Sequence, residues 1–143
     1  MPADLPRQLA EIAEFQDGIV TSAQAVAAGL SAELLRSRVS QARWQRVHRG
    51  VYATFSGGLS RRADLWAAVL SAGSGAMLSH RSAAELHGLT DMPGQVIHVT
   101  VPTDRRVRSD IAGVIVHRSA RAAQAAHPAA TPPRTRVEET ILD

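Results

Sequence analysis

The run TSAQAVAAGLSAELLRSRVSQARWQRVHRGVYAT, residues 21–54, decides the fold. Thr21 is a good N-cap for the helix formers Ala23 to Ala28, and Gly29 suits the left-handed residue that closes such a helix. Ser31 is a second N-cap, opening a helix that the spacing carries to about Arg43. Two helices joined by a tight turn through Gly29 and Leu30 make a helix-turn-helix. Beyond it, Trp44, Val47, Val51, Tyr52 and Thr54 favour strands on either side of a turn at His48-Arg49-Gly50. Upstream, Leu5, Leu9, Ile12 and Ala13 recur at helical spacing between Asp4 and Pro6, which suit a helix start, and Gly18, which suits a stop. Ile19 and Val20 read as a short extended segment. Three helices followed by a hairpin predict a winged helix-turn-helix DNA-binding domain over residues 1–58, with Ser56, Gly57 and Gly58 as a hinge.

Residues 59–143 read as a smaller α/β region, making the whole chain α+β. One helix is expected from Ser60 to Ala72, with Leu65, Trp66, Val69 and Leu70 as its stripe, and another from His80 to His87, capped by Ser79 and closed by Gly88. Gln95–Val101 and Gly113–His117 alternate as strands, predicted to form an antiparallel pair across a polar loop from Thr103 to Asp110. Ala120–Ala130 is nearly all alanine and is expected to be only partly ordered. Val137 and Ile141 open a last helix, within which the region is expected to end.

The chain has 143 residues, 45% of them hydrophobic, and no cysteine, which excludes disulfides, thiol catalysis and cysteine-ligated zinc. The N-terminus lacks the apolar run of a signal peptide, and Leu65–Leu70 is far too short to span a bilayer, so a cytoplasmic location is expected. The net charge is only +3, and all sixteen basic residues are Arg. They fall in blocks: residues 34–62 hold seven Arg and no acid. Such a local cationic stretch beside a helix-turn-helix points to a polyanion, and guanidinium groups favour bidentate contact with phosphate and guanine.

Centring the buried face of the helix after Ser31 on Leu35 places Val39 and Ala42 beside it and Glu33, Ser37, Ser40 and Gln41 opposite. Arg36 and Arg43, seven apart, then stack on one flank, and Arg38 sits at the core boundary with its head in reach of a phosphate. A helix of this kind fits the major groove, so Arg36 and Ser37 are expected to read bases first, with Ser40 and Gln41 next, and Arg43 is a further expected DNA contact. Arg46, His48 and Arg49 occupy the hairpin, where a wing meets the backbone or minor groove. Thr21 and Gln24 start the preceding helix, either as plain caps or as a phosphate site. Trp44 and Tyr52 read as wing core.

The segments GIVTSAQAVAAGLS, RWQRVHRGVYAT, LWAAVLSAGSGAMLSHRSAAELHGL and IHVTVP with VIVHRS together resemble the AbiEi-family antitoxins of type IV toxin–antitoxin systems, in the form common among actinobacteria. The resemblance implies an N-terminal winged helix-turn-helix that binds the operon's own promoter and represses it. It also implies a following region that acts against a nucleotidyltransferase-like toxin. Two other readings stand beside the autorepressor: a module whose α/β half binds such a toxin, or the DNA-binding remnant of a larger endonuclease-like protein.

No catalytic pattern accompanies these features. Ser79, His80 and Asp91 lack a nucleophile elbow, and there is no phosphate-binding loop. His80 and His87 are two turns apart on one helix, and His98 and His117 would need Glu85 or Asp110 to complete a ligand set. Neither a metal, a cofactor nor an enzymatic activity is therefore expected. Ser79–Ser82 reads as a cap with His80 in the core, or as an anion or partner site with Arg81 in reach. Arg81, Arg105, Arg106 and Arg108 form a possible partner surface or second DNA patch.

Overall fold

A computed structural model describes residues 5–107 and 110–143; Arg108 lies outside them. The chain divides into two compact units, residues 1–67 and 68–143.

In the first unit, α1 (Arg7–Phe15) is followed by β1 (Ile19–Thr21), α2 (Ser22–Ala27), α3 (Ala32–Ser40), β2 (Gln45–His48) and β3 (Val51–Ala53). The strands form an antiparallel sheet of order β1-β3-β2. Its hairpin carries a bulge between Arg46 and His48, and His48 pairs with Val51, which leaves Arg49 and Gly50 as the turn. The extended Ile19–Val20 segment thus becomes the third strand of the wing sheet, with Val20 opposite Tyr52. The helical core gathers Leu5, Leu9, Ala13, Val20, Ala25, Leu30, Leu35 and Trp44. Three helices and a β-hairpin in this order are compatible with a winged helix.

Helix ends set the geometry here. After α2, Gly29 adopts φ +105°, its N–H donates to Val26, and the N–H of Leu30 reaches back to Ala25, closing a Schellman turn that drops Leu30 into the core. Helix α3 ends the same way three residues earlier than the sequence implied. Ala42 takes φ +59°, its N–H donates to Val39, and the N–H groups of Arg43 and Trp44 both reach Arg38. Arg43 therefore lies beyond the helix and does not stack on Arg36, and Ala42 is exposed rather than on the buried stripe. The turn needs a left-handed residue, and no glycine stands there to announce it. Arg38 joins Leu35 as the buried side of α3, with its guanidinium over the Trp44 ring at 5.6 Å. It is thus a core cation packed on an aromatic face rather than a phosphate contact.

The segment expected to act as a hinge is pinned: the Gln45 carboxamide donates to the carbonyls of Phe55 and Gly57 at 3.0 and 2.6 Å. Helix α4 (Arg61–Ala72) follows, with the Ser60 hydroxyl accepting from the Ala63 N–H as its cap. The unit boundary falls inside α4. Its first half is fastened to the end of α1 by the Arg62–Asp17 ion pair at 2.8 Å and by the edge-on packing of Trp66 against Phe15.

The second unit holds β4 (Met77–Leu78), α5 (His80–Leu86), β5 (Ile97–Pro102), β6 (Val114–Ser119), α6 (Ala122–Ala125) and α7 (Val137–Leu142). Its sheet has the order β4-β5-β6. An antiparallel pair is present, but it is β4 with β5; the two strands expected to form it, β5 and β6, run parallel in register from Ile97↔Val114 to Pro102↔Ser119. A hairpin needs only a few linking residues, whereas the stretch between Pro102 and Val114 is long enough to carry the chain back to the start of β5. Ile111 is buried along that return, and the N–H of Ile97 donates to Gly113. The alanine-rich stretch is also ordered, contrary to expectation: Ala122 and Ala125 are buried in α6, and Ala126 bridges Thr135.

The two turns give opposite expectations. At Gly29 an added Cβ meets nothing within 4 Å, so only its backbone conformation resists substitution. Gly29→Ala should lower the stability of the first unit by about 1 kcal/mol, and Ala42→Gly should raise it by a similar amount. Urea unfolding followed by tryptophan fluorescence reads this directly, because Trp44 and Trp66 both lie in that unit.

Candidate nucleic-acid interface

Helix α3 presents Glu33, Leu34, Arg36 and Ser40 outward, leaves Ser37 and Val39 half-buried, and buries Leu35 and Arg38. The outward positions 33, 36 and 40 share one face by helical spacing. Near the C-terminal end the polar groups bond to one another: the Ser40 hydroxyl donates to the Ser37 carbonyl at 3.0 Å, and the Gln41 carboxamide donates to the Ser37 hydroxyl at 3.1 Å. Arg36 stands before this cluster. It is exposed and, among the described residues, pairs with no carboxylate.

On the hairpin, Arg46 is exposed opposite Tyr52, and Arg49 is exposed at the tip. Neither pairs with a carboxylate among the described residues. His48 is half-buried at the end of β2; burial lowers its proton affinity, and the Asp64 carboxylate partly offsets that. Of the seven arginines in the acid-free block, Arg36, Arg43, Arg46 and Arg49 are thus presented to solvent, while Arg38 is buried, Arg61 is half-buried and Arg62 holds Asp17.

Thr21 and Gln24 are engaged by the fold. The Thr21 hydroxyl accepts from the Gln24 N–H at 3.0 Å, and the Gln24 side-chain carbonyl accepts from the Thr21 N–H at 2.9 Å, a reciprocal capping box. The Gln16 carboxamide bonds the same Gln24 oxygen and the Ile19 carbonyl, tying α1, β1 and α2 together. Gln16 was not singled out in the sequence, since its role appears only when the end of α1 meets the start of α2. Trp44 is buried with Tyr52 at 6.4 Å between ring centres, as wing core.

Residues 7–54, from the start of α1 through the hairpin, match the family model described as transcriptional regulator, AbiEi antitoxin. Over these residues the N-terminal unit is similar to AbiEi regulators. No curated protein matches the chain. The AbiEi match covers the elements just described, α1 to β3, and is consistent with an AbiEi-family antitoxin, a family of regulators rather than enzymes. Among the described residues, no helix is long and apolar enough to cross a membrane.

The remaining arginines singled out by the sequence lie in the second unit. Arg81 donates to the Met92 carbonyl at 3.2 Å, beside the Glu85 carboxylate that accepts from the Gly94 N–H, so it braces the 92–94 loop. Arg105 lies 3.4 Å from the Ser74 hydroxyl, and Arg106 is exposed.

His48 gives this region a pH signature. Its unfolded value is 6.5 and its folded value is lower, so below pH 6.5 the unfolded chain takes up a proton that the folded chain refuses. Its contribution to stability is complete above that pH and is lost as the pH falls. The urea midpoint of the first unit should therefore drop less between pH 7 and pH 5 in His48→Gln than in the parent chain.

Proposed function

We propose that the chain is a sequence-specific DNA-binding autorepressor of a toxin–antitoxin operon. The observation that carries this reading is the exposure of Arg36 on α3 and of Arg46 and Arg49 on the hairpin, none paired with a carboxylate among the described residues. In this arrangement α3 enters the major groove, Arg36 and Ser37 face base edges, and Ser40 lies further along the same groove. Arg46 and Arg49 meet the phosphate backbone on the wing side, with His48 between them. Thr21 and Gln24 hold α2 in place, and Arg43 acts from the turn after α3. The match to AbiEi regulators over the same span supports the reading.

Fluorescence titration of the DNA upstream of the chain's own coding region tests it. Arg36→Ala should cost about 1–3 kcal/mol on the specific site and much less on random DNA. Arg49→Ala should weaken both alike and reduce the slope of log affinity against log salt by about 0.9. Equal affinity for upstream and random DNA in the parent chain would contradict the proposal.

The family description also implies a cognate toxin, and the resemblance points to a nucleotidyltransferase-like one. If the second unit makes that contact, co-purification with the neighbouring gene product should survive Arg36→Ala and Arg49→Ala.

A further inference from the structure

In the second unit three elements bring three imidazoles together. His98 on β5 and His117 on β6 sit diagonally on one face, because the parallel register sets His98 beside Ile115 and Thr100 beside His117. His98 Nδ1 and His117 Nε2 are 2.9 Å apart. His80, the first residue of α5, lies with its ring centre 3.8 Å from that of His117 and 5.4 Å from that of His98. One ligand nitrogen from each of the three falls within 4.8 Å of the others, and all three rings are half-exposed.

The surroundings hold this cluster in place. The Ser82 hydroxyl accepts from the His98 N–H at 2.8 Å, and the Thr100 hydroxyl donates to Ser79 at 2.7 Å, which seats the start of α5 on the histidine face of the sheet. Ser79 therefore occupies the cap position without a side-chain cap bond. His80 adopts φ +53°, a left-handed conformation unusual for a residue with a Cβ. Its N–H donates to the Asp143 carboxylate at 3.0 Å; at the ring, Nδ1 lies 3.0 Å from the Ser79 hydroxyl, with the Asp143 carboxylate further off at 3.6 Å. A hydrogen bond to the ring nitrogen that does not ligate is the usual way a ligating histidine is oriented.

We propose that His80, His98 and His117 form a binding site for a divalent transition-metal ion, with Zn²⁺ the best-suited class. Imidazole nitrogens suit zinc, and a tetrahedral ion with Zn–N bonds of about 2.0–2.1 Å takes three histidines and leaves a fourth position for water or a partner group. The nitrogens here need shift by only about an ångström to reach such bonds. The Ser79 hydroxyl engages His80 Nδ1 and leaves Nε2 as the ligand atom, while Asp143 holds the backbone N–H of the same residue. Burial first, and then the neighbouring rings, lower the proton affinity of His98 and His117, opposed at His117 by the Asp143 carboxylate; the direction favours the neutral ring that ligation requires. The ion fastens α5 to β5 and β6. Along the sequence the set is invisible: 80, 98 and 117 share no motif, and only the parallel register and the left-handed start of α5 bring them together.

The test is calorimetric titration of Zn²⁺ into the untagged, chelator-stripped chain, with Mg²⁺ as control and histidine-ring NMR as the second readout. One equivalent of Zn²⁺ should bind, raise the thermal midpoint, and shift the ring signals of His80, His98 and His117 but not those of His87 and His127. His80→Asn, which tolerates the left-handed backbone, and His117→Gln should each weaken Zn²⁺ binding at least tenfold, and His127→Gln should leave it unchanged. Absence of saturable Zn²⁺ binding in the parent chain would overturn the proposal. So would ring shifts confined to His87 and His127, or binding that persists unweakened in both ligand variants. The ring-shift experiment decides the matter on the parent chain alone if a variant does not fold.

Discussion

The aim of α3 depends on one left-handed residue. Gly29 turns the chain between α2 and α3, and the backward hydrogen bond from Leu30 to Ala25 fixes how far it turns. Leu30 is then buried between the helices, where its side chain contributes roughly 1.5–3 kcal/mol of apolar burial that holds the angle. Everything α3 presents outward follows from that angle, including Arg36. The capping box at Thr21 and Gln24, joined by Gln16, holds the other end of α2 to α1 and β1, so the helix pair is braced at both ends.

The second constraint is how α3 stops. With Ala42 in a left-handed conformation the chain reverses directly into Trp44 and β2, and Arg38 is drawn over the Trp44 ring. The acid-free arginine block then sorts itself by structure. One guanidinium is buried on an aromatic face, one is held by Asp17, and Arg36, Arg46 and Arg49 remain exposed on the helix and the hairpin, with Arg43 exposed on the turn between them. A run of like charge in a sequence is therefore not a surface patch as a whole. Some of its members belong to the core, and only the geometry of the turns tells which.

Much of the first unit was legible because its signals are local. N-caps, a glycine after α2 and strand formers around Gly50 each act within a few residues, and the structure places helices and hairpin where they point. The stop of α3 was missed because alanine carries no left-handed preference. The second unit was less legible because its determinants are long-range. A two-residue strand at Met77–Leu78 has no periodicity to read, and the parallel pairing of β5 and β6 rests on the return of the chain past Ile111. The alanine-rich stretch gains its order from backbone bonds to distant residues, such as Arg136 N–H to Ala125, eleven positions away. The histidine cluster draws on α5, β5 and β6 together, so no spacing rule within one element could find it.

The central claim is that α3 and the hairpin of the first unit are the surface that meets DNA. The most direct measurement is a map of backbone amide shifts in the isotope-labelled chain as a duplex from its own upstream region is added. Shifts concentrated in residues 33–41 and 46–50, with the second unit unaffected, are the predicted result. Shifts confined to residues 68–143, or none at all at saturating duplex, would contradict the account.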